Sequence, residues 1–348
     1  MYAPARYPIA ERPDDHELPD PQLPLLITGV SGVSGYNALR YFQAKYPGQV
    51  FGMRQANNVK FTGPDIIPCD AEDRDELERI FDRYRFAAVL DCAGNCALKP
   101  CELNPEMAWA INVQGVRNLL SLTTNRGIRL VHLSVDLVFH GLGQGGLIET
   151  DAPDPVSVYG KTMVEGERSV SEMDPSAATL RISLPMGVSF NGHAGAVDWI
   201  ESRFKASRPA TLYFDEVRTP TYTTCLTRVC QVVLAGDQAG VFHAGGPRCL
   251  SLYQIAQIIN RVGGYDPDLL YGMPRGHAGP IPPRAGDVTM DSSKLADSIG
   301  FEPFDPWPLD AAHVPDSMDW HHDRPASEKR SPEHLYQMLT ENPRFGSC

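Results

Sequence analysis

The segment PLLITGVSGVSGYNALRYFQAKY, residues 24–46, constrains the fold of this chain more than any other stretch. An apolar run ends at Thr28, three glycines follow at Gly29, Gly32 and Gly35, and apolar residues then recur at helical spacing. A strand, a glycine turn and a helix in that order present free backbone N–H groups and the positive end of a helix dipole, which is where a pyrophosphate binds. The glycines allow the tight turn and the close approach of the backbone to that anion. Gly29, Ser31, Gly32, Val33 and Gly35 are therefore the expected contacts. A glycine pattern alone is weak, but its place at the first strand of an alternating series makes it specific.

The alternation continues. QVFGM reads as a second strand, a short third lies around Asp65–Pro68, and EDRDELERIFDRY is an amphipathic helix. FAAVLDCAG is a strand of small and branched apolar residues, PEMAWAINVQGVRNLLSLTTNRG a helix closed by Gly127, and RLVHLSV another strand. Near-continuous apolar strands separated by helices indicate a parallel sheet covered on both faces. The expected fold class is α/β: a doubly wound, Rossmann-like parallel sheet with a smaller C-terminal substrate-binding domain. Residues 1–23, rich in proline and acid, are expected as an extended tail or a strap over the surface. Residues 24–186 and about 212–246 then form the Rossmann domain, about 187–211 and 247–306 the substrate domain, and 307–348 a C-terminal extension.

Composition narrows the partners. A net charge of -12 over 348 residues argues against a nucleic-acid or anionic-membrane surface, although it leaves room for a local basic pocket. No run approaches the roughly 18–20 apolar residues that cross a bilayer, and no basic region precedes an apolar stretch at the start, so the expected location is the cytoplasm. The 8 cysteines lie scattered through apolar segments, as reduced packing residues do. Cys92, Cys96 and Cys101 fit no common zinc spacing, and His321, His322 and Asp323 sit in a polar tail, so no metal site is expected.

The spacing GxxGxxG resembles that of the extended short-chain dehydrogenase/reductase family. At the end of the second strand an acid would bind a ribose 2'-hydroxyl and an arginine a 2'-phosphate; GMRQ offers Arg54 and no acid, which favours NADP while leaving NAD open. Asp70, after the third strand, falls where the family often has an acid beside the adenine, or else is a helix N-cap. Ala93 and Gly94, after the fourth strand, complete the expected cofactor contacts.

Further blocks follow in order: LDCAGNCALKPCELNPEMAWAINVQGVRNL, SVDLVFHG, ETDAPDPVSVYGKTMVEGE, RTPTYTTCL and PPRAGDVTMDSSKL. Together they resemble the dTDP-4-dehydrorhamnose reductase family over about residues 24–302. The resemblance implies hydride transfer at the carbonyl of a nucleotide-activated sugar by a Ser/Thr-Tyr-Lys triad. Tyr159 matches the tyrosine, but Met163 stands at the lysine and Val135 at the hydroxyl position. A tyrosine titrates near pH ~10 unaided, so the missing cation matters. Lys161, two residues on, lies about 200° around the helix and should point away. Ser134 replaces Val135 only if a strand-end irregularity turns it to the other face.

The resemblance also implies a structural role for Asn112 and places Asn95, Cys96 and Lys99 near the cofactor or substrate. It places Arg218, Thr219, Thr221 and Tyr222 near the nucleotide-sugar site, with Arg218 suited to a phosphate. Three functions compete. The first is an NADP-dependent enzyme acting on a nucleotide sugar or related carbonyl through an altered constellation built on Tyr159. The second is a catalytically silent, cofactor-binding regulatory or scaffold subunit with a protein partner. The third is a sugar-nucleotide epimerase or dehydratase that draws on Asp136, His132 or His140. A homodimer is compatible with each.

Overall fold

The computed structural model describes residues 12–94, 97–192, 195–342 and 344. In chain order the strands are β1 (Leu25–Ile27), β2 (Val50–Arg54), β3 (Ile66–Pro68), β4 (Ala88–Asp91), β5 (Arg129–Val135), β6 (Ala178–Ile182), β7 (Pro185–Met186), β8 (Ala210–Tyr213), β9 (Val217–Arg218), β10 (Thr221–Tyr222), β11 (Gly240–Ala244), β12 (Leu250–Ser251) and β13 (Leu270–Met273). The helices are α1 (Val33–Lys45), α2 (Arg74–Tyr84), α3 (Leu98–Leu103), α4 (Pro105–Trp109), α5 (Gly115–Arg126), α6 (Val158–Met173), α7 (Ala196–Lys205), α8 (Thr223–Ala235), α9 (Leu252–Val262), α10 (Ser293–Ile299) and α11 (Pro332–Thr340).

Seven strands form one parallel sheet in the order β11-β6-β5-β4-β1-β2-β3. This is the α/β, doubly wound, Rossmann-like class expected from the sequence. The apolar strands explain it: in β1, Leu25 and Ile27 enter the core beneath α1 and α8, while Leu26 enters the core beneath α2 and α5. Each of these side chains is fully buried, a gain of about 1.5–3 kcal/mol apiece. The amphipathic α2 turns Leu77, Ile80 and Phe81 inward and is N-capped by Asp73, whose carboxylate accepts from the Glu76 N–H.

The expected single helix over 105–127 is interrupted by a π-helical turn at Ala110–Gln114. Gly166 of α6 packs there so closely that a Cβ would stand 2.9 Å from the Asn112 carbonyl. A π-bulge of this kind re-aims the side chains it carries, and Asn112 donates through Nδ2 to Thr162 Oγ1 of α6 at 2.9 Å.

Beyond the sheet, β8 pairs with β13 and α7 packs on α9. The segment 285–291 threads between the loop at 139–147 and β9, through bonds from the Gly286 N–H to the His140 carbonyl, Asp287 N–H to Gly141, and Val288 N–H to Val217. Residues 12–23 lie along α8 and the end of α1: Arg228 pairs with Asp15, and Tyr46 donates to Asp20 at 2.5 Å. Buried Asp305 receives Arg12 at 2.6 Å and Arg344 at 2.7 Å, joining both ends of the described chain. Among the described residues no helix is long and apolar enough to cross a membrane, and no group of three or more His, Cys, Asp or Glu is arranged to hold a metal.

Candidate functional site

The glycine turn sits at the carboxyl ends of β1 and β4. Buried Thr28 donates through Oγ1 to Asp91 Oδ1 at 2.5 Å and accepts from the Ala93 N–H at 3.0 Å, so the two strand ends are fixed to each other. Gly29 has φ +62°, and a Cβ on it would lie 2.3 Å from the Cys92 carbonyl oxygen. A Cβ on Gly35 would lie 2.4 Å from the Gly29 oxygen. Both glycines are thus required by the packing of the chain on itself.

Gly32 is different. A Cβ there would meet only the Gly29 oxygen at an ordinary 3.4 Å. Gly32 is the N-cap of α1, has extended backbone, and offers no side-chain cap to the first turn, which carries no acid. The free N–H groups of α1 therefore open into space that a side chain would fill, and the residues present fit a pyrophosphate.

Around this turn, Ser31 Oγ accepts from Asn58 Nδ2 at 2.7 Å, and Asn37 Nδ2 donates to the Val33 and Val188 carbonyls, both at 2.8 Å. Arg54 is buried and donates from Nε to the Phe61 carbonyl at 2.6 Å and from Nη1 to the Gln55 and Ala56 carbonyls. Its first task is to hold the 55–61 loop; only Nη2 remains for a 2'-phosphate. Asp70 Oδ1 accepts from the Ala56 N–H at 3.0 Å and anchors the same loop, and the helix cap weighed for it belongs to Asp73. Exposed Gly94 faces the Asn112 side chain. Asn95 and Cys96 lie outside the described residues, and Lys99 is exposed on α3.

Tyr159 lies in the first turn of α6, whose start is fixed twice. Ser157 Oγ accepts from the Gly160 N–H, and Glu102 Oε1 from the Val158 N–H at 2.6 Å. Tyr159 and Met163 are one turn apart on the inward face, 4% and 2% exposed, in an apolar cluster with Cys101, Phe139, Val288 and Met290; Val135 packs against the same cluster. Lys161 is exposed on the outside of the helix, as the helical geometry requires.

Ser134 is placed elsewhere. Its hydroxyl, fully buried, donates to Glu167 Oε1 at 2.5 Å, and Glu167 is held by Arg181 Nε and Nη2 at 2.9 and 2.7 Å. Ser134, Arg181 and His243 are register neighbours on β5, β6 and β11, so their side chains share one face. The strand keeps its regular alternation through Val135, and the irregularity that would carry Ser134 to the Tyr159 side does not occur. In this structure its hydroxyl is engaged by the buried Glu167–Arg181 pair.

Asp136 is also engaged internally. It accepts from Ser183 Oγ at 2.7 Å and lies 3.8 Å from Arg218 Nε. Burial raises its pKa against the opposing pull of Arg218 and the Ser183 hydrogen bond. Arg218 is buried, with Nη2 on Glu216 at 2.8 Å, and no hydrogen bond is made by Nη1 or by Thr219 Oγ1 among the described residues. Tyr222 is buried: its hydroxyl accepts from the Leu309 N–H at 3.0 Å, and burial pushes its pKa up to about 12. His132, which donates to Asp91 at 2.8 Å, is buried beneath α6 and does not reach the surface.

Sequence reading missed two half-buried cations, Arg284 beside Glu216 and Arg275 beside Asp215. Arg284 stacks over the Tyr213 ring at 4.7 Å with Nη1 3.6 Å from Glu216 Oε2, and Arg275 lies 3.7 Å from Asp215. A Cβ on Gly286 would lie 2.1 Å from the Gly141 carbonyl oxygen and 2.6 Å from Arg275 Nη1, so the glycine of the RAGD run is required by the backbone of the 139–147 loop and also leaves room for that arginine. The run RAGD was the available signal, because a charged residue beside an obligatory glycine marks close approach.

A family model described as the RmlD substrate binding domain matches residues 24–319. The chain belongs to the RmlD family. Its members include NAD(P)-dependent reductases that process sugar nucleotides, within the extended short-chain dehydrogenase/reductases. One relative is the probable low-salt glycan biosynthesis reductase Agl14 of Haloferax volcanii, 27% identical over 70% of this chain and 81% of that protein. Another is methionine adenosyltransferase 2 subunit beta of Danio rerio, 26% identical over 81% of this chain and 87% of that one. A dTDP-4-dehydrorhamnose reductase from Clostridium acetobutylicum shares the fold with TM-score 0.68 and 23% identity, covering 90% of this chain and 98% of that chain.

Proposed function

We propose that this protein binds NADP, with NAD as the alternative, on its glycine turn and acts on a nucleotide-activated sugar or a related carbonyl substrate with Tyr159 as its remaining proton donor. The observation that carries the reading is Gly32: packing does not require its missing side chain, and the approach of an anion to α1 does. Gly29, Ser31, Gly32, Val33 and Gly35 hold the pyrophosphate, Arg54 Nη2 lies on the 2'-phosphate side, and Ala93 and Gly94 border the cofactor. The nicotinamide supplies the hydride. Tyr159 supplies a proton from its hydroxyl, and the half-buried Arg284 and Arg275 offer positive charge to the substrate's phosphates. Arg218 and Thr219 contribute polar atoms, Nη1 and Oγ1, that make no hydrogen bond among the described residues.

Without a lysine beside it, Tyr159 loses the cation that eases its proton transfer, at a cost of about 100- to 10,000-fold in rate. The apolar cluster that holds Tyr159 and Met163, with Val135 packed against it, favours a second reading, a cofactor-binding subunit that serves a protein partner and turns nothing over. An epimerase or dehydratase has less support, because Asp136 and His132 are both held in buried pairs.

Calorimetry with NADPH and NADH, followed by NADPH oxidation against a panel of dTDP- and UDP-4-keto sugars, tests the proposal. Turnover that disappears in Tyr159→Phe supports the enzyme. Tight binding with no turnover, and a co-purifying protein, supports the silent subunit. Failure to bind either dinucleotide rejects both.

A further inference from the structure

His132 stands between the glycine turn and the helix that carries Tyr159. On β5 it is the register neighbour of Asp91 on β4, and Asp91 in turn meets Thr28 just after β1. Side chains thus tie three adjacent strands together at their carboxyl ends, directly beneath the turn. All three residues are at most 1% exposed.

The two oxygens of Asp91 have different tasks. Oδ1 accepts from Thr28 Oγ1 at 2.5 Å and from the Ala93 N–H at 3.2 Å, while Oδ2 faces His132 Nδ1 at 2.8 Å. A carboxylate has no proton to offer, so Nδ1 is the donor, and in the neutral ring Nε2 is left as an acceptor. Nε2 makes no hydrogen bond among the described residues and lies towards Gly166 of α6, where a Cβ would stand 3.8 Å from it. The ring therefore directs its proton to Asp91 and rests its other edge against α6, two helical turns after Tyr159.

We infer that His132 is a positioning residue for the cofactor turn and acts through Asp91. The inference rests on the cofactor reading proposed above. Without the Nδ1 donor, Oδ2 is unpaired away from water, and a carboxylate so placed rotates or draws its strand towards solvent. Either movement releases Thr28 and the Ala93 N–H, which hold the ends of β1 and β4 where the Cys92 carbonyl stands against Gly29. The turn is then ordered by the dinucleotide instead of before it arrives, and that ordering is subtracted from the binding free energy.

The experiment is calorimetric NADPH binding, with thermal unfolding alongside, on the full chain and on His132→Asn, His132→Gln and His132→Leu. The Asn amide reaches the position of Nδ1 and keeps a donor to Asp91; the Gln amide reaches that of Nε2, and Leu has no donor. Kd is expected to rise by about tenfold or more in the Gln and Leu variants and to stay within about threefold in the Asn variant. The Gln variant carries the comparison if His132→Leu folds poorly. A role in packing alone lowers the thermal midpoint and leaves Kd unchanged in the folded variants. That result overturns the inference, as does an Asn variant that binds as weakly as the Gln variant, and both leave the cofactor reading standing. Absence of NADPH and NADH binding by the unaltered protein overturns the cofactor reading and this inference with it.

Discussion

Ser134 Oγ donates to Glu167 Oε1 at 2.5 Å, and this contact decides which way the end of β5 faces. Glu167 lies between Ser134 and Arg181, so the β5 hydroxyl belongs to a buried ion pair beneath α6 and not to the Tyr159 side. Val135 packs against the apolar cluster that holds Tyr159.

Ser134→Ala is therefore expected to destabilise the fold by about 1–3 kcal/mol, while leaving whatever turnover Tyr159 supports unchanged. Glu167→Gln is expected to cost more, about 3–5 kcal/mol, because it strands a buried guanidinium. Urea denaturation measures both. A turnover defect in well-folded Ser134→Ala would return the serine to the catalytic group.

The glycines of the turn separate into two kinds. Gly29→Ala forces a side chain into φ +62° and against a carbonyl 2.3 Å away, and is expected to lower the thermal midpoint by several degrees or prevent folding. Gly32→Ala is expected to fold normally and to lose NADPH affinity. Thermal unfolding and calorimetry on the two variants give opposite patterns if this assignment holds.

Acid should weaken the C-terminal extension. Burial lowers the pKa of His321 to about 4, helped by His322 and Arg324 and opposed by Asp319, and His321 Nδ1 accepts from Gln257 Nε2 at 3.3 Å. The unfolded chain binds a proton near pH ~6.5 and the folded one does not, so stability falls as pH drops from about 6.5 towards 4. Denaturation midpoints measured across this range should fall less steeply in His321→Asn than in the unaltered protein.

Much of the fold was legible because it is written in continuous apolar runs and one glycine turn, and the α/β class follows from the alternation of such strands with helices that begins at Leu25–Ile27 and α1. The site was harder to read. Arg54 occupied the position of a phosphate ligand, yet three loop carbonyls within its reach take two of its nitrogens. Tyr222 belonged to a matching block, but its hydroxyl meets a segment 87 residues away that no local pattern announces. Arg284 and Arg275 gain their meaning only when β9 and the RAGD run come together. The outward direction of Lys161, by contrast, followed from helical geometry.

If Met163 and Val135 hold the lysine and hydroxyl positions of a triad built on Tyr159, restoring those two groups should restore reduction. The most direct test compares NADPH binding and 4-keto-sugar reduction in the unaltered protein and in Val135→Thr/Met163→Lys. The expected result is similar NADPH affinity in both and a rise in reduction of at least about 100-fold in the double variant, abolished again by Tyr159→Phe. Absence of NADPH binding, or unchanged reduction in a folded double variant, would contradict it.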